Sequence, residues 1–251
     1  MTNNLFNNDF RRNLFNSNDS TPFRLSRSKI DLFLNCPRCF YLDLRLGISQ
    51  PPGFPFTLNN AVDTLLKKEF DIYREKQIPH PIMKKSGIDA IPFQHQDLEI
   101  WRDAKRRGIS CVHPKTNFLV TGGIDDVWIN PQKELIIVDY KATSKNSEVN
   151  LDADWQIGYK RQAEVYQWLF RQNDFKVSDI AYFVYANGRT DLDKFDGKLE
   201  FDIKVLPYQG KDDWVEKELI NARRLLENDK IPLPSPDCSY CKYLYLNKDY
   251  L

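Results

Sequence analysis

Residues 134–141, ELIIVDYK, open as a run of large aliphatic side chains, the pattern of a strand covered on both faces, and close on Asp139 and Lys141. A carboxylate and an ammonium at the end of a buried strand are costly to desolvate unless a metal, a substrate or partner charges compensate them. Side chains of a strand repeat every two residues, so Asp139 and Lys141 share a face. A further acid, Asp125, lies in TGGIDDVW (residues 121–128), and across a hairpin Asp125 and Asp139 converge on one oxygen-lined site. Hard oxygen ligands suit Mg²⁺ or Mn²⁺, which complete their shells with water and phosphate. The lysine beside them is placed to position a water or steady a phosphate. An ordinary salt bridge near a sheet edge accounts for these three residues equally well.

Gln162 and Tyr166 lie four residues apart in a helical segment and share a face. An amide and a phenol there can orient the lysine or contact a nucleic-acid strand; the plainer reading is a helix packing its amphipathic side on the sheet. Four of the five cysteines form two C-x-x-C pairs at opposite ends of the chain, Cys36/Cys39 and Cys238/Cys241. In a cytoplasmic setting that spacing points to metal ligation rather than disulfides. If the ends meet, four thiolates make one tetrahedral zinc site or hold an iron–sulfur cluster. Cys111 stands alone as a core or edge thiol. His80, His95 and His113 have no ligand-like spacing and are expected to be structural or at the surface.

The elements that must position these residues make a mixed α/β domain. A flexible tail is expected over residues 1–24 and one domain over 25–251. Ser26 or Ser28 caps a helix starting near Lys29. PPGFPF breaks the chain at 51–56, and a helix over 57–75 carries Leu58, Ala61, Val62, Leu65, Leu66 and Phe70 on one face. A short helix is expected over 96–107, then strands over 117–130 and 134–141 joined as a hairpin by NPQKE. A helix over 153–171, strands over 180–187 and 199–206, a helix over 211–228 and a short aromatic end complete the chain.

Composition narrows the setting. Hydrophobic residues make up 41% of 251 positions, ample for a core, yet no apolar run approaches the roughly 20 residues of a membrane span. The Asn-rich N-terminus lacks a signal-peptide core, so a cytoplasmic location is expected. A net charge of +1 leaves nucleic-acid contact to local patches such as Lys105-Arg106-Arg107, Lys67-Lys68 or Arg223-Arg224, each read first as a solvated helix face.

Taken in order, the motifs resemble the PD-(D/E)xK nuclease superfamily, specifically its RecB-like branch, which includes the AddB nuclease domain and CRISPR-associated exonucleases. LSRSKIDLFLNCPRCFYLDLRLGI (25–48) looks like that family's opening helix; GGIDDVW resembles its G-x-x-D strand, VDYK its D-x-K motif and QAEVY its Q-x-x-x-Y helix. The resemblance implies a restriction-endonuclease-like core, a mixed central sheet flanked by helices. It makes Asp125 and Asp139 ligands of Mg²⁺ or Mn²⁺, joined by the Tyr140 carbonyl, and Lys141 the catalytic lysine, with Gln162 and Tyr166 beside the site. Where the branch usually has a metal-binding histidine, this chain has Asp63, in TLNNAVDTLLKKEF (57–70); Glu69 is the lesser substitute. The resemblance favours iron–sulfur, since relatives staple their ends with a four-cysteine cluster, usually on one front and three rear cysteines. This chain splits them two and two, which a plain zinc site would also show, so [4Fe-4S] and Zn²⁺ both stay open.

The expected activity is metal-dependent hydrolysis of DNA phosphodiester bonds, on single strands or duplex ends, with exonuclease action ahead of endonuclease action. A helicase or a repair or defence partner follows by analogy alone. The rival reading is a catalytically inactive nucleic-acid-binding or accessory module that keeps the fold and the cysteine site, favoured by Asp63 in place of histidine.

Overall fold

The computed structural model describes residues 14–55 and 57–248. From the N-terminal side it runs β1 (Phe23–Ser26), α1 (Arg27–Asn35), α2 (Pro37–Leu46), α3 (Thr57–Lys76), α4 (Pro81–Lys85), β2 (Ile91–Pro92), α5 (Leu98–Arg102), β3 (Ile109–His113), β4 (Phe118–Gly122), β5 (Asp126–Ile129) and β6 (Leu135–Thr143). A 3₁₀ turn (Asp154–Gln156) then leads into α6 (Ile157–Gln172), followed by β7 (Ile180–Gly188), β8 (Phe201–Gln209), α7 (Val215–Glu227) and α8 (Ser239–Asn247).

The strands form two mixed sheets, flanked by helices. The larger has the order β2-β5-β6-β7-β8 and the smaller β1-β4-β3. β6 pairs antiparallel with β5 and parallel with β7, and α6 makes the crossover that parallel neighbours require. β6 is covered on both faces, as its apolar run predicts. Ile136 and Val138 pack with Leu66 and Phe70 of α3 and with Trp128. Leu135 and Ile137 join the larger cluster with Leu169 and Phe170 of α6. Full burial of each such side chain is worth about 1.5–3 kcal/mol, enough for the strand to carry a buried carboxylate on the α6 side at its far end.

Several expectations are corrected. The strand expected over 117–130 is two strands in different sheets, β4 and β5, separated by Gly123, Ile124 and Asp125. The crossing needs glycine: a Cβ on Gly122 would lie 2.6 Å from the Tyr166 ring, and one on Gly123 would lie 2.2 Å from the Ala104 Cβ. The hairpin is therefore β5–β6 alone. The helix expected over 96–107 ends at Arg102, and Gly108, at φ +76°, turns the chain into β3. On α3 the inward face is Leu66, Phe70 and Arg74; Leu58 and Leu65 are exposed. The short β1, β2 and β3 escaped the pattern reading because runs of two to five residues show little alternation.

Of the tail expected over 1–24, residues 1–13 lie outside the described residues. Its end is packed: Phe15 is buried, with its ring 5.4 Å from that of Phe23, and Phe23 opens β1. Among the described residues no helix is long and apolar enough to cross a membrane.

Candidate active site

The β5–β6 ladder pairs Asp126 with Val138, so the next position outward sets Asp125 opposite Asp139. The Asp125 Oδ2 accepts a hydrogen bond from the Tyr140 N–H at 2.9 Å, and Arg102 Nε donates to the Asp125 carbonyl at 3.2 Å. From α3, Lys67 Nζ reaches the other oxygen, Oδ1, at 3.2 Å and Asp63 Oδ2 at 2.8 Å. Helix α3 thus delivers Asp63 to the acids of the sheet. Burial and the Asp125 charge raise the Asp63 carboxyl above its ordinary value.

Asp139 is 1% exposed. It is ion-paired with Lys141, and neither of its carboxylate oxygens accepts a hydrogen bond of normal geometry. Burial, resisted by Lys141 and reinforced by Asp125, pushes its carboxyl up to about 6. Lys141 moves the opposite way from a lone buried lysine. Burial alone would lower it, but Asp139 and Asp125 outweigh that and raise it, so its ammonium is charged at neutral pH. That ammonium also lies 4.4 Å from the centroid of the Tyr159 ring.

Asp63, Asp125 and Lys141 line a cleft of about 290 Å³ together with Asn59, Asn60, Tyr140, Tyr159 and Gln162. A buried carboxylate whose partner is the Lys141 ammonium alone among the described residues, beside two further carboxylates, is a donor set that fits a hard divalent cation.

Gln162 and Tyr166 share a face of α6, the amide donating to the phenol at 3.2 Å. Tyr166 is buried and its hydroxyl donates to the Gly123 carbonyl at 2.6 Å. It therefore clamps the crossing that carries Asp125, while Gln162 faces the cleft. The Tyr140 side chain is buried, its hydroxyl donating to Asp126 at 2.7 Å.

Three residues near the site escaped the sequence reading. Asp126 is fully buried and gathers the Arg74 and Arg102 guanidiniums, the Tyr140 hydroxyl and the Trp128 indole N–H. Alternation along β5 separates it from Asp125, and its full set of donors makes it a structural hub. Lys67, read from the sequence as half of a solvated basic pair, instead bridges two acids; its i, i+4 spacing from Asp63 was the available signal. Tyr159 lies one turn before Gln162 on the same face.

Other candidates fall elsewhere. Glu69 pairs with His80 at 2.8 Å. His113 is buried against Thr116 and Glu216, and His95 stacks on Trp101 with centroids 4.4 Å apart. Arg223 bonds Glu227 and the Thr116 carbonyl.

At the far end of α1 the four cysteines come together, their sulfurs all within 4.8 Å of one another. Cys36 sits at the junction of α1 and α2, Cys39 in the first turn of α2, Cys238 at the cap of α8 and Cys241 within it. Sulfur separations run 3.4 Å for Cys39–Cys241, 3.6 Å for Cys39–Cys238 and 3.9 Å for Cys36–Cys241. Burial pushes the Cys36 thiol up, but the Ser235 and Cys39 main chain and its sulfur neighbours bring it down to about 7. Such a group fits a thiophilic metal ion. Cys111 lies apart on β3, half-buried, its thiol pushed up to about 12 by burial.

Comparison with known proteins adds three findings. The family model described as PD-(D/E)XK nuclease superfamily matches residues 24–245. No curated protein matches. Seven solved chains match; one, described as "Crystal structure of SSO0001", is 14% identical with a TM-score of 0.37, over 91% of this chain and 87% of that one.

Proposed function

The chain belongs to the PD-(D/E)XK nuclease superfamily, and from that premise we propose that it is a divalent-metal-dependent deoxyribonuclease of the RecB-like branch acting at strand ends. The observation that carries the reading is Asp139: a buried, donor-poor carboxylate at about 6, facing Asp125 and ion-paired with Lys141. A third acid, Asp63, lines the cleft with Asp125 and Lys141, which an Asp139–Lys141 salt bridge alone does not account for.

In this reading Asp63, Asp125 and Asp139, with the Tyr140 carbonyl, would hold Mg²⁺ or Mn²⁺, which when bound supplies Lewis-acid polarisation of a phosphoryl oxygen. Lys141 contributes a fixed positive charge and a hydrogen-bond donor. Ion-paired with Asp139, it would orient water or phosphate at the cleft. Gln162 offers its amide to the same phosphate or water. Tyr166 acts at one remove, holding Gly123 and hence the Asp125 crossing.

The cysteines support membership of a branch whose members tie their ends with a metal. Their spacing favours a single ion over a cluster. Sulfurs at about 2.3 Å from a tetrahedral zinc lie about 3.8 Å apart, close to the separations here, whereas a four-iron cluster spreads its thiolates wider.

A second reading, an inactive nucleic-acid-binding module, draws on Asp63 standing where relatives have histidine and on Lys67 already neutralising it. Incubation with end-labelled single-stranded DNA, blunt duplex DNA and RNA, with Mn²⁺ or with chelator, separates the two. Metal-dependent shortening of DNA supports the nuclease; binding without cleavage under every metal condition supports the module.

A further inference from the structure

Among the described residues, Trp155 is a large aromatic side chain beside the cleft that the core does not use. Trp101, Trp128 and Trp168 are buried, and the Trp214 indole N–H donates to Glu164 at 2.8 Å. Trp155 is 59% exposed. Its backbone is nevertheless fixed. The next residue, Gln156, is fully buried, accepts from the Ala153 N–H at 2.9 Å and donates to the Asn150 carbonyl at 2.7 Å and the Tyr185 hydroxyl at 3.2 Å. The Trp155 ring meets Tyr159 edge-on, centroids 5.4 Å apart at 83°, and Lys145 Nζ lies 5.4 Å from its centroid.

Tyr159 links this ring to the chemistry, since its own face carries the Lys141 ammonium at 4.4 Å. The Trp155 ring therefore lies within about 10 Å of Lys141, the reach of one or two nucleotides of an extended strand. A rigid, exposed indole with a cation on it, set beside a site for phosphate, has the two elements of a single-strand platform: a stacking face and local positive charge. Within a duplex the base faces are covered by stacking and cannot use it.

We propose that Trp155 stacks a base of single-stranded nucleic acid next to the phosphate held at Lys141, so that the substrate enters the cleft as a single strand. This rests on the reading of the cleft as a nucleic-acid site under Proposed function, since it needs a phosphate there.

The test uses the full chain in chelator, so that nothing is cleaved, and compares wild type, Trp155→Ala and Trp155→Phe for binding to a 20-mer oligothymidylate and to a duplex of the same length. Expected results are at least fivefold weaker oligothymidylate binding for Trp155→Ala, affinity within about twofold of wild type for Trp155→Phe, loss of indole-fluorescence quenching in both variants, and unchanged duplex binding. Unaltered oligothymidylate affinity in Trp155→Ala, or an equal loss on the duplex, overturns the proposal. Wild type assayed in Mn²⁺ keeps the two claims apart. Cleavage together with Trp155-independent binding sinks the stacking site alone. Trp155-dependent binding without cleavage sinks the nuclease reading and leaves the stacking site standing.

Discussion

Lys67 holds its ammonium 2.8 Å from the carboxylate of Asp63, one turn earlier on α3. The same ammonium lies 3.2 Å from Asp125, so one lysine ties the helix acid to the sheet acid and counters the charge that a cation would otherwise meet. Burial lowers the proton affinity of Lys67, but Asp125 and Asp63 outweigh that and raise it.

If Asp63 completes the metal shell, Asp63→Ala weakens Mn²⁺ binding about tenfold or more, while Asp63→His retains it. Lys67→Met removes a competing positive charge and tightens Mn²⁺ binding several-fold. Titration calorimetry reads all three. Unchanged affinity in Asp63→Ala would return that residue to a solvated helix face.

Asp125 and Asp126 are adjacent and make opposite predictions. Asp126→Ala leaves Arg74 and Arg102 without their buried partner and destabilises the fold by about 3–5 kcal/mol. Asp125→Ala, at a partly exposed carboxylate, costs less than about 2 kcal/mol but removes Mn²⁺ binding. Urea unfolding of the two variants measures the first difference and calorimetry the second.

The Asp139 carboxyl titrates near 6 in the folded chain, above its ordinary 3.8, because it is buried. The folded state thus holds this proton more tightly than the unfolded chain. The stability it contributes is full below about pH 4 and is lost as the pH rises to about 6, a span of roughly 3 kcal/mol. Metal binding runs the other way, since the ligand must be ionised. Mn²⁺ affinity therefore falls about tenfold from pH 7 to pH 5. An affinity flat across that range would show that Asp139 does not ligate.

The cysteine site predicts paired losses. Replacing Cys36, Cys39, Cys238 or Cys241 by Ser lowers metal content and thermal stability together, because a metal there closes a loop of about 200 residues and its binding is worth roughly 10 kcal/mol or more. Cys111→Ser does neither. Elemental analysis of anaerobically purified protein, with its visible spectrum, reads the outcome: colourless protein with one zinc for a single ion, brown protein for a cluster.

The elements that place the site were legible where the physics is local. The aliphatic run of β6 announced a strand covered on both faces, and its period of two put Asp139 and Lys141 on one side. The four-residue spacing of Gln162 and Tyr166 put them on one face of α6. What remained hidden depends on the third dimension. The crossing between β4 and β5 brings Gly122 and Gly123 too close to the Tyr166 ring and Ala104 for a Cβ to fit, contacts that no window of sequence contains. Lys67 looked like surface because nothing in its neighbourhood reveals Asp125, 58 residues away. Trp155 looked like the start of a helix, and only its exposure beside Tyr159 marks it out.

Central to the account is that Asp139 and Lys141 perform phosphodiester hydrolysis rather than close a strand with a salt bridge. Time courses of end-labelled DNA with Mn²⁺ and purified wild type, Lys141→Ala and Asp139→Ala, each shown by circular dichroism to be folded, test it most directly. The predicted result is metal-dependent cleavage by wild type and a loss of at least about a hundredfold in each variant. Undiminished cleavage by either folded variant would contradict it.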